Sequence, residues 1–332
     1  MAAVDGTFVG CLDADAGKYA RKFYKFTAPR ELGCFSVVGK HRDFLNGRAE
    51  LKYLCMPRNP SALSWDLNDG FSKAVRSDFE QPEKLSKLLR WITENRQKLT
   101  LGKRTKRNGL GVDFVCKRRL LAKVARTPYS TGDEDWLFSA TRFGDTLYLC
   151  KFPTESHKEQ VAQDPEFWQR MDFWGHKFDQ YMTSAQPGAL PDLSGPLRSD
   201  DQSYVVLKGM VGRHSLLLSA EVYAIDNDVP HEPGSMEAYV EFKIAREITH
   251  KGQERSFRKK LLSAWSQSFL AGVPRVMVGF RTKDGVVQSV KEYQVKDMPL
   301  LAEGQWSDAV CFNFLDEMLS FIKECVTEDD PK

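Results

Sequence analysis

The chain has 332 residues, with 48 Lys+Arg against 45 Asp+Glu and a formal net charge of +3. Its 42% hydrophobic and 11% aromatic content is ample for a substantial core, which excludes a disordered or fibrous chain. Its apolar runs fall far short of the ~20 residues of a membrane helix, and its seven cysteines lack CxxC spacing, which argues against a disulfide framework or zinc ribbon.

The opening Met1-Ala2-Ala3-Val4-Asp5-Gly6 has neither the basic nor the apolar region of a secretion signal, so reduced thiols in the nucleus or cytosol are expected. Residues 1–20 read as a tail and 21–332 as one domain. Residues 22–58 read as short strands and turns, with Phe35, Leu51 and Tyr53 as buried candidates. Over 80–99, Leu85, Leu88, Leu89 and Ile92 recur at i, i+3, i+4, i+7, the stripe of an amphipathic helix. Seven positive charges fall within Lys103–Arg107 and Lys117–Arg119. A solvated loop, a phosphate-contacting surface and a nuclear targeting signal all fit them. Residues 112–125 read as a helix carrying Arg118 and Lys123.

Strands are expected at 135–141 and 145–152, joined as a hairpin through Arg142-Phe143-Gly144. Asp164-Pro165 opens a helix over 165–184, and 186–202 is a loop rich in Pro, Gly, Ser and Asp. Strands follow at 203–210, 214–224 and 237–245, then a basic amphipathic helix at 253–269. Strands at 274–281 and 286–295 and a helix over 307–325 end the chain. This interleaving predicts a mixed α/β domain.

Chemistry concentrates on two of these strands. Glu221 interrupts the apolar run Leu216–Val222, and Glu241 and Lys243 lie two apart in Ala238–Ile244. Alternation puts Glu241 and Lys243 on one strand face and Phe242 on the other. A carboxylate inside an apolar strand is costly unless paired or bound to metal. Carboxylates beside a lysine suit phosphodiester hydrolysis, since hard cations take oxygen ligands and polarise phosphate. The plain alternative is an edge-strand ion pair, with Glu221 merely solvated.

From Glu31 to the C-terminus the chain resembles the DXO family of RNA 5′-end decapping nucleases and 5′–3′ exoribonucleases. The matching segments run in order: Trp65–Gly70, Phe114–Arg118, Gly175–Asp179, Ser219–Tyr223, Tyr239–Lys243, Trp265–Leu270 and Gly279–Arg281. The resemblance implies one α/β domain of two mixed β-sheets flanked by helices, with a deep pocket and an ExK nuclease-type core. It implies removal of incomplete or nonstandard 5′ caps (unmethylated, triphosphate or NAD) in mRNA quality control, with RNA as partner, a 5′–3′ exoribonuclease as companion, no membrane, and the nucleus ahead of the cytoplasm as compartment.

Carried over residue by residue, Glu221, Glu241 and Lys243 are the catalytic set. Asp179, Glu221, Glu241 and the Phe242 carbonyl would surround Mg²⁺ or Mn²⁺. Arg118, flanked by Lys117 and Arg119, would meet the RNA 5′ end, and Lys243 and Gln267 its phosphates. Glu83 falls where it can face the pocket, whereas Lys177 acquires no role.

The chain departs from the family pattern at two ligand positions. Asp179 stands where the family has Glu, one methylene shorter. Tyr223 stands where it has Asp, so a neutral, bulky phenol replaces an anionic ligand. Asp226 could stand in only if the chain turned there. The family also commonly continues beyond Lys332. These departures open a second reading, a catalytically weakened protein that binds RNA 5′ ends or protein partners and protects transcripts.

Overall fold

In the computed structural model, the described residues are 8–22, 26–75, 84–99, 110–130 and 135–329. Strands β1 (Phe26–Val38), β2 (Asp43–Asn46), β3 (Lys52–Leu54) and β4 (Trp65–Asp66) come first, followed by helices α1 (Ser86–Glu94) and α2 (Arg96–Leu99). Next come β5 (Phe114–Lys117), α3 (Arg118–Ala125), the hairpin β6 (Leu137–Phe143) and β7 (Thr146–Phe152), then α4 (Glu155–Gln163), α5 (Pro165–Met182) and β8 (Thr183–Ser184). The second half runs β9 (Gln202–Val211), β10 (His214–Val222), β11 (Ala224–Ile225), β12 (Tyr239–Arg246), α6 (Lys251–Ala271), β13 (Arg275–Arg281), β14 (Val286–Gln294), α7 (Met298–Leu301) and α8 (Asp308–Cys325).

The strands form two seven-stranded mixed sheets, ordered β2-β1-β9-β10-β5-β7-β6 and β4-β14-β13-β12-β11-β3-β8. The expected architecture is therefore present. β10 belongs to the first sheet and β11 to the second, and Tyr223 alone separates them. One continuous chain thus passes from sheet to sheet at Tyr223.

Several local expectations need correction. The segment read as a helix over 112–125 is a strand that becomes a helix between Lys117 and Arg118. Phe114-Val115-Cys116 suits a fully buried central strand, paired in parallel with both β10 and β7. Leu120-Leu121-Ala122 then favours helix, and with no Gly or Pro at the joint the sequence hides the break. Of residues 22–58, Phe35 is buried as expected, but Leu51 and Tyr53 are only half-buried, and β1 is a single 13-residue strand. On α1, Leu88 and Ile92 face inward with Trp91, while Leu89 faces out.

α5 starts as its sequence dictates: the Asp164 side chain accepts from the Phe167 amide at 3.0 Å, and Pro165 occupies the first turn. Its Phe173, Trp174, Phe178 and Met182 pack on Val240, Phe242 and Met277 of the second sheet. α6 ends at Gly272 in the left-handed conformation. Its Trp265 packs with Trp306 and Phe312 in the main core between sheets and helices. That core includes Tyr19, whose ring stands edge-on to Phe314. Among the described residues no helix is long and apolar enough to cross a membrane.

Candidate active site at the junction of the two sheets

β12 supplies two faces with different company. Val240 and Phe242 turn toward α5, with the Phe242 ring 6.2 Å from Phe178. Glu241 and Lys243 turn toward α3 and α6, as alternation predicts. There Lys243 Nζ donates to Glu241 Oε1 at 2.7 Å, and Arg118 Nη1 donates to Glu241 Oε2 at 2.8 Å. Arg118 Nη1 also reaches the Gln267 carbonyl at 3.3 Å, and Lys243 Nζ the Gln267 side-chain oxygen at 3.5 Å. Three expected site residues thus gather around the carboxylate of a fourth. The Arg118 and Glu241 side chains are 1% and 2% exposed, whereas Lys243 is 29% exposed. Burial pushes the Glu241 carboxyl up, but Arg118 and Lys243 outweigh it and hold it at about 2.

The other carboxylates open onto a cavity of about 320 Å³. Asp179, Glu221 and Tyr223 line it with Lys52, His176, Arg198 and Gln202. Among the described residues Arg118, Glu241, Lys243 and Gln267 are not part of its wall. Gln202 Nε2 donates to Glu221 Oε1 at 3.2 Å, and Arg119, half exposed, stands 4.0 Å from Glu221 Oε2. Burial pushes Asp179 well above the usual carboxylate range; Lys243 opposes this, while the charges of Glu221 and Glu241 add to it. Burial and the same two glutamates also push the Tyr223 phenol well above its ordinary value, so it is neutral.

The implied divalent cation can be tested against these donors. Mg²⁺ requires oxygens in near-octahedral array at about 2.0–2.1 Å. Asp179, Glu221, Glu241 and the Phe242 carbonyl have suitable hard-oxygen chemistry. Yet among the described residues no three Asp, Glu, His or Cys side chains gather closely enough to hold a metal. Each Glu241 oxygen already accepts from one cation, and Glu241 does not line the cavity that Asp179 and Glu221 line. Asp226 is no substitute, for it pairs with Arg275 at 2.9 Å. The residues as arranged do not fit the ion.

Lys117 lies on β5 beside Ser219, with its ammonium 5.9 Å from the Tyr204 ring centre. Glu83 and the basic run Lys103–Arg107 lie outside the described residues. Lys177, without a role in the sequence, is buried and donates to Asp69 at 3.2 Å, tying α5 to the loop after β4. Sequence reasoning missed Lys52, His176, Arg198 and Gln202. His176 did leave a signal, one helical turn before Asp179 with its Nδ1 3.7 Å from Oδ2.

A model of the RAI1-like PD-(D/E)XK nuclease family matches residues 27–332. The chain is 36% identical over 327 residues to the decapping and exoribonuclease protein of Homo sapiens, covering 97% of this chain and 81% of the relative. It is 28% identical to the decapping nuclease RAI1 of Neurospora crassa, covering 94% and 76%. The fold matches Rai1 of Scheffersomyces stipitis with a TM-score of 0.78 at 22% identity, covering 93% of this chain and 88% of that one. It matches Candida albicans Rai1, solved in complex with pU5-Mn²⁺, with a TM-score of 0.77 at 21% identity, covering 95% and 86%. Ordered motifs, two mixed sheets and a family match spanning the domain agree: the chain belongs to the RAI1-like PD-(D/E)XK nuclease family.

Proposed function

We propose that this protein is a hydrolase acting on RNA 5′ ends, of the decapping nuclease type, working in mRNA 5′-end quality control. The observation that carries the reading is the gathering of Arg118, Lys243 and Gln267 around Glu241 at the junction of the sheets. Lys243, the more exposed cation, is placed to exchange Glu241 Oε1 for a phosphate oxygen, while Arg118 keeps the carboxylate ionised. Gln267 offers its amide to the same phosphate, and Lys117 and Arg119 extend positive charge along the RNA path. The substrates proposed are RNAs with unmethylated, triphosphate or NAD 5′ ends, and the companion a 5′–3′ exoribonuclease. The nucleus is the compartment, with the cytoplasm second. Mg²⁺ or Mn²⁺ is the ion class such oxygen donors would take.

The second reading is a protein that binds RNA 5′ ends and shields them. One observation favours it: a neutral Tyr223 lines the cavity beside Asp179 and Glu221, while Glu241 is paired with both Arg118 and Lys243.

Purified protein incubated with 5′-triphosphate, unmethylated-cap and NAD-capped RNA in Mg²⁺ and in Mn²⁺, beside Glu241→Ala, separates the two. Cleavage that disappears in the variant supports the hydrolase. Tight binding without cleavage supports the shield, and no RNA binding defeats both.

A further inference from the structure

The site has the ancestry of a metal centre but not its geometry. We infer that the chain's own cations close this site, so that it does not take up Mg²⁺ or Mn²⁺ below millimolar concentration and engages RNA 5′ ends independently of metal. The second half rests on the RNA-end reading; the first half does not.

Glu241 is the pivotal donor. A metal ligated by it would be drawn up against Lys243 on Oε1 or Arg118 on Oε2, contacts of 2.7 and 2.8 Å. Arg118 has nowhere to go. It is 1% exposed, its Nη1 is shared between Glu241 and the Gln267 carbonyl, and its Nε is already buried without a partner. A dication on Glu241 would therefore stand beside a buried guanidinium, an arrangement that low-dielectric surroundings penalise heavily.

Position 223 makes the second obstacle. β11 pairs with β12 only at Tyr239 and Val240, so the chain immediately before it, Tyr223, borders the stretch of β12 that carries Glu241. A short carboxylate there would add charge where the strands meet. Tyrosine instead presents a ring 6.1 Å from that of Phe242 and forms part of the cavity wall. Asp179 and Glu221 also line that wall, whereas the Glu241 carboxylate is held in the buried ion pairs with Arg118 and Lys243. The next carboxylate along the chain, Asp226, is committed to Arg275.

The test titrates MnCl₂ alone into the full chain and follows free Mn²⁺ by electron paramagnetic resonance. Wild type is expected to show no saturable site below millimolar Mn²⁺. Tyr223→Asp should gain affinity by on the order of ten- to hundredfold, and Tyr223→Asn, which opens the same space without charge, by less. Saturable micromolar binding in wild type that Glu241→Gln abolishes would overturn the inference. So would Tyr223→Asp or Tyr223→Asn variants that fold, judged by circular dichroism, yet gain nothing. If Tyr223→Asp does not fold, wild type and Tyr223→Asn decide. Anisotropy with a 5′-monophosphorylated RNA, run in EDTA and in Mn²⁺, covers the second half. Equal affinity supports it, and binding that requires Mn²⁺ overturns it. Absence of binding in both defeats the RNA-end reading and leaves the metal result standing.

Discussion

Arg118 and Glu241 form a closed ion pair 2.8 Å long between α3 and β12, 123 residues apart in the chain and shielded from water on both sides. Removing one partner of such a pair strands the other charge in the interior. Arg118→Met should therefore cost about 3–5 kcal/mol, seen as a lower denaturant midpoint in urea unfolding. Lysine at the same position restores the charge but not the fork that reaches both Glu241 and the Gln267 carbonyl, so Arg118→Lys should recover only part of the loss. A wild-type midpoint in Arg118→Met would show the pair to be energetically idle.

The pair also sets a pH dependence. Glu241 is held at about 2 against an ordinary value of 4.5, so its contribution is fully present above 4.5 and lost as pH falls toward 2. The difference corresponds to about 3 kcal/mol. Unfolding measured at pH 6 and pH 3 should show wild type losing about 2 kcal/mol more stability than Glu241→Gln, with the rest lost as pH falls further toward 2. Asp179 has the opposite sign. Burial first, then Glu221 and Glu241, raise it above its ordinary 3.8, so its contribution is present below that value and lost as pH rises. Asp179→Asn should raise the melting temperature at pH 7, and the gain should vanish below pH 4.

Gly279 on β13 has no side chain because Phe178 occupies the space. A methyl there would come to 2.5 Å from Phe178 Cε2. Gly279→Ala should cost about 1–3 kcal/mol by overpacking. Because Phe178 precedes Asp179 on α5, the same change should loosen the cavity wall. Calorimetry of Gly279→Ala with and without Phe178→Leu checks this, since the smaller partner should recover part of the loss.

Lys243 is the cation of the triad with access to solvent. If it meets a phosphate, Lys243→Met should weaken binding of 5′-phosphorylated single-stranded RNA and flatten the salt dependence by about 0.7 in log–log slope. Anisotropy at a series of KCl concentrations reads both. An unchanged slope would remove Lys243 from the RNA path.

Much of this was legible from one-dimensional pattern. The alternation in Tyr239–Lys243 placed Glu241 and Lys243 together and Phe242 opposite, and Asp164-Pro165 marked the start of α5. What escaped was whatever depends on distant segments meeting. No local signal could show that Arg118 would spend its charge on Glu241, because the two lie 123 residues apart and meet only in the folded arrangement of α3 and β12. The break at Lys117–Arg118 was hidden because strand formers give way to helix formers without punctuation. The passage from β10 to β11 was invisible for a related reason: the apolar run continues through Val222 and Ala224, and only pairing partners reveal that Tyr223 stands between two sheets.

That passage has a mechanical consequence. A strand that changes sheets on a single residue leaves one pair of backbone torsions to absorb any sliding of one sheet against the other. Position 223 is therefore a joint as well as a lining residue. A bulky ring wedged against Phe242 stiffens that joint, while a small acid would free it. Exchange of substituents here would alter how the cleft breathes along with what it holds, and amide hydrogen exchange at Val222 and Ala224 is where that coupling would be recorded.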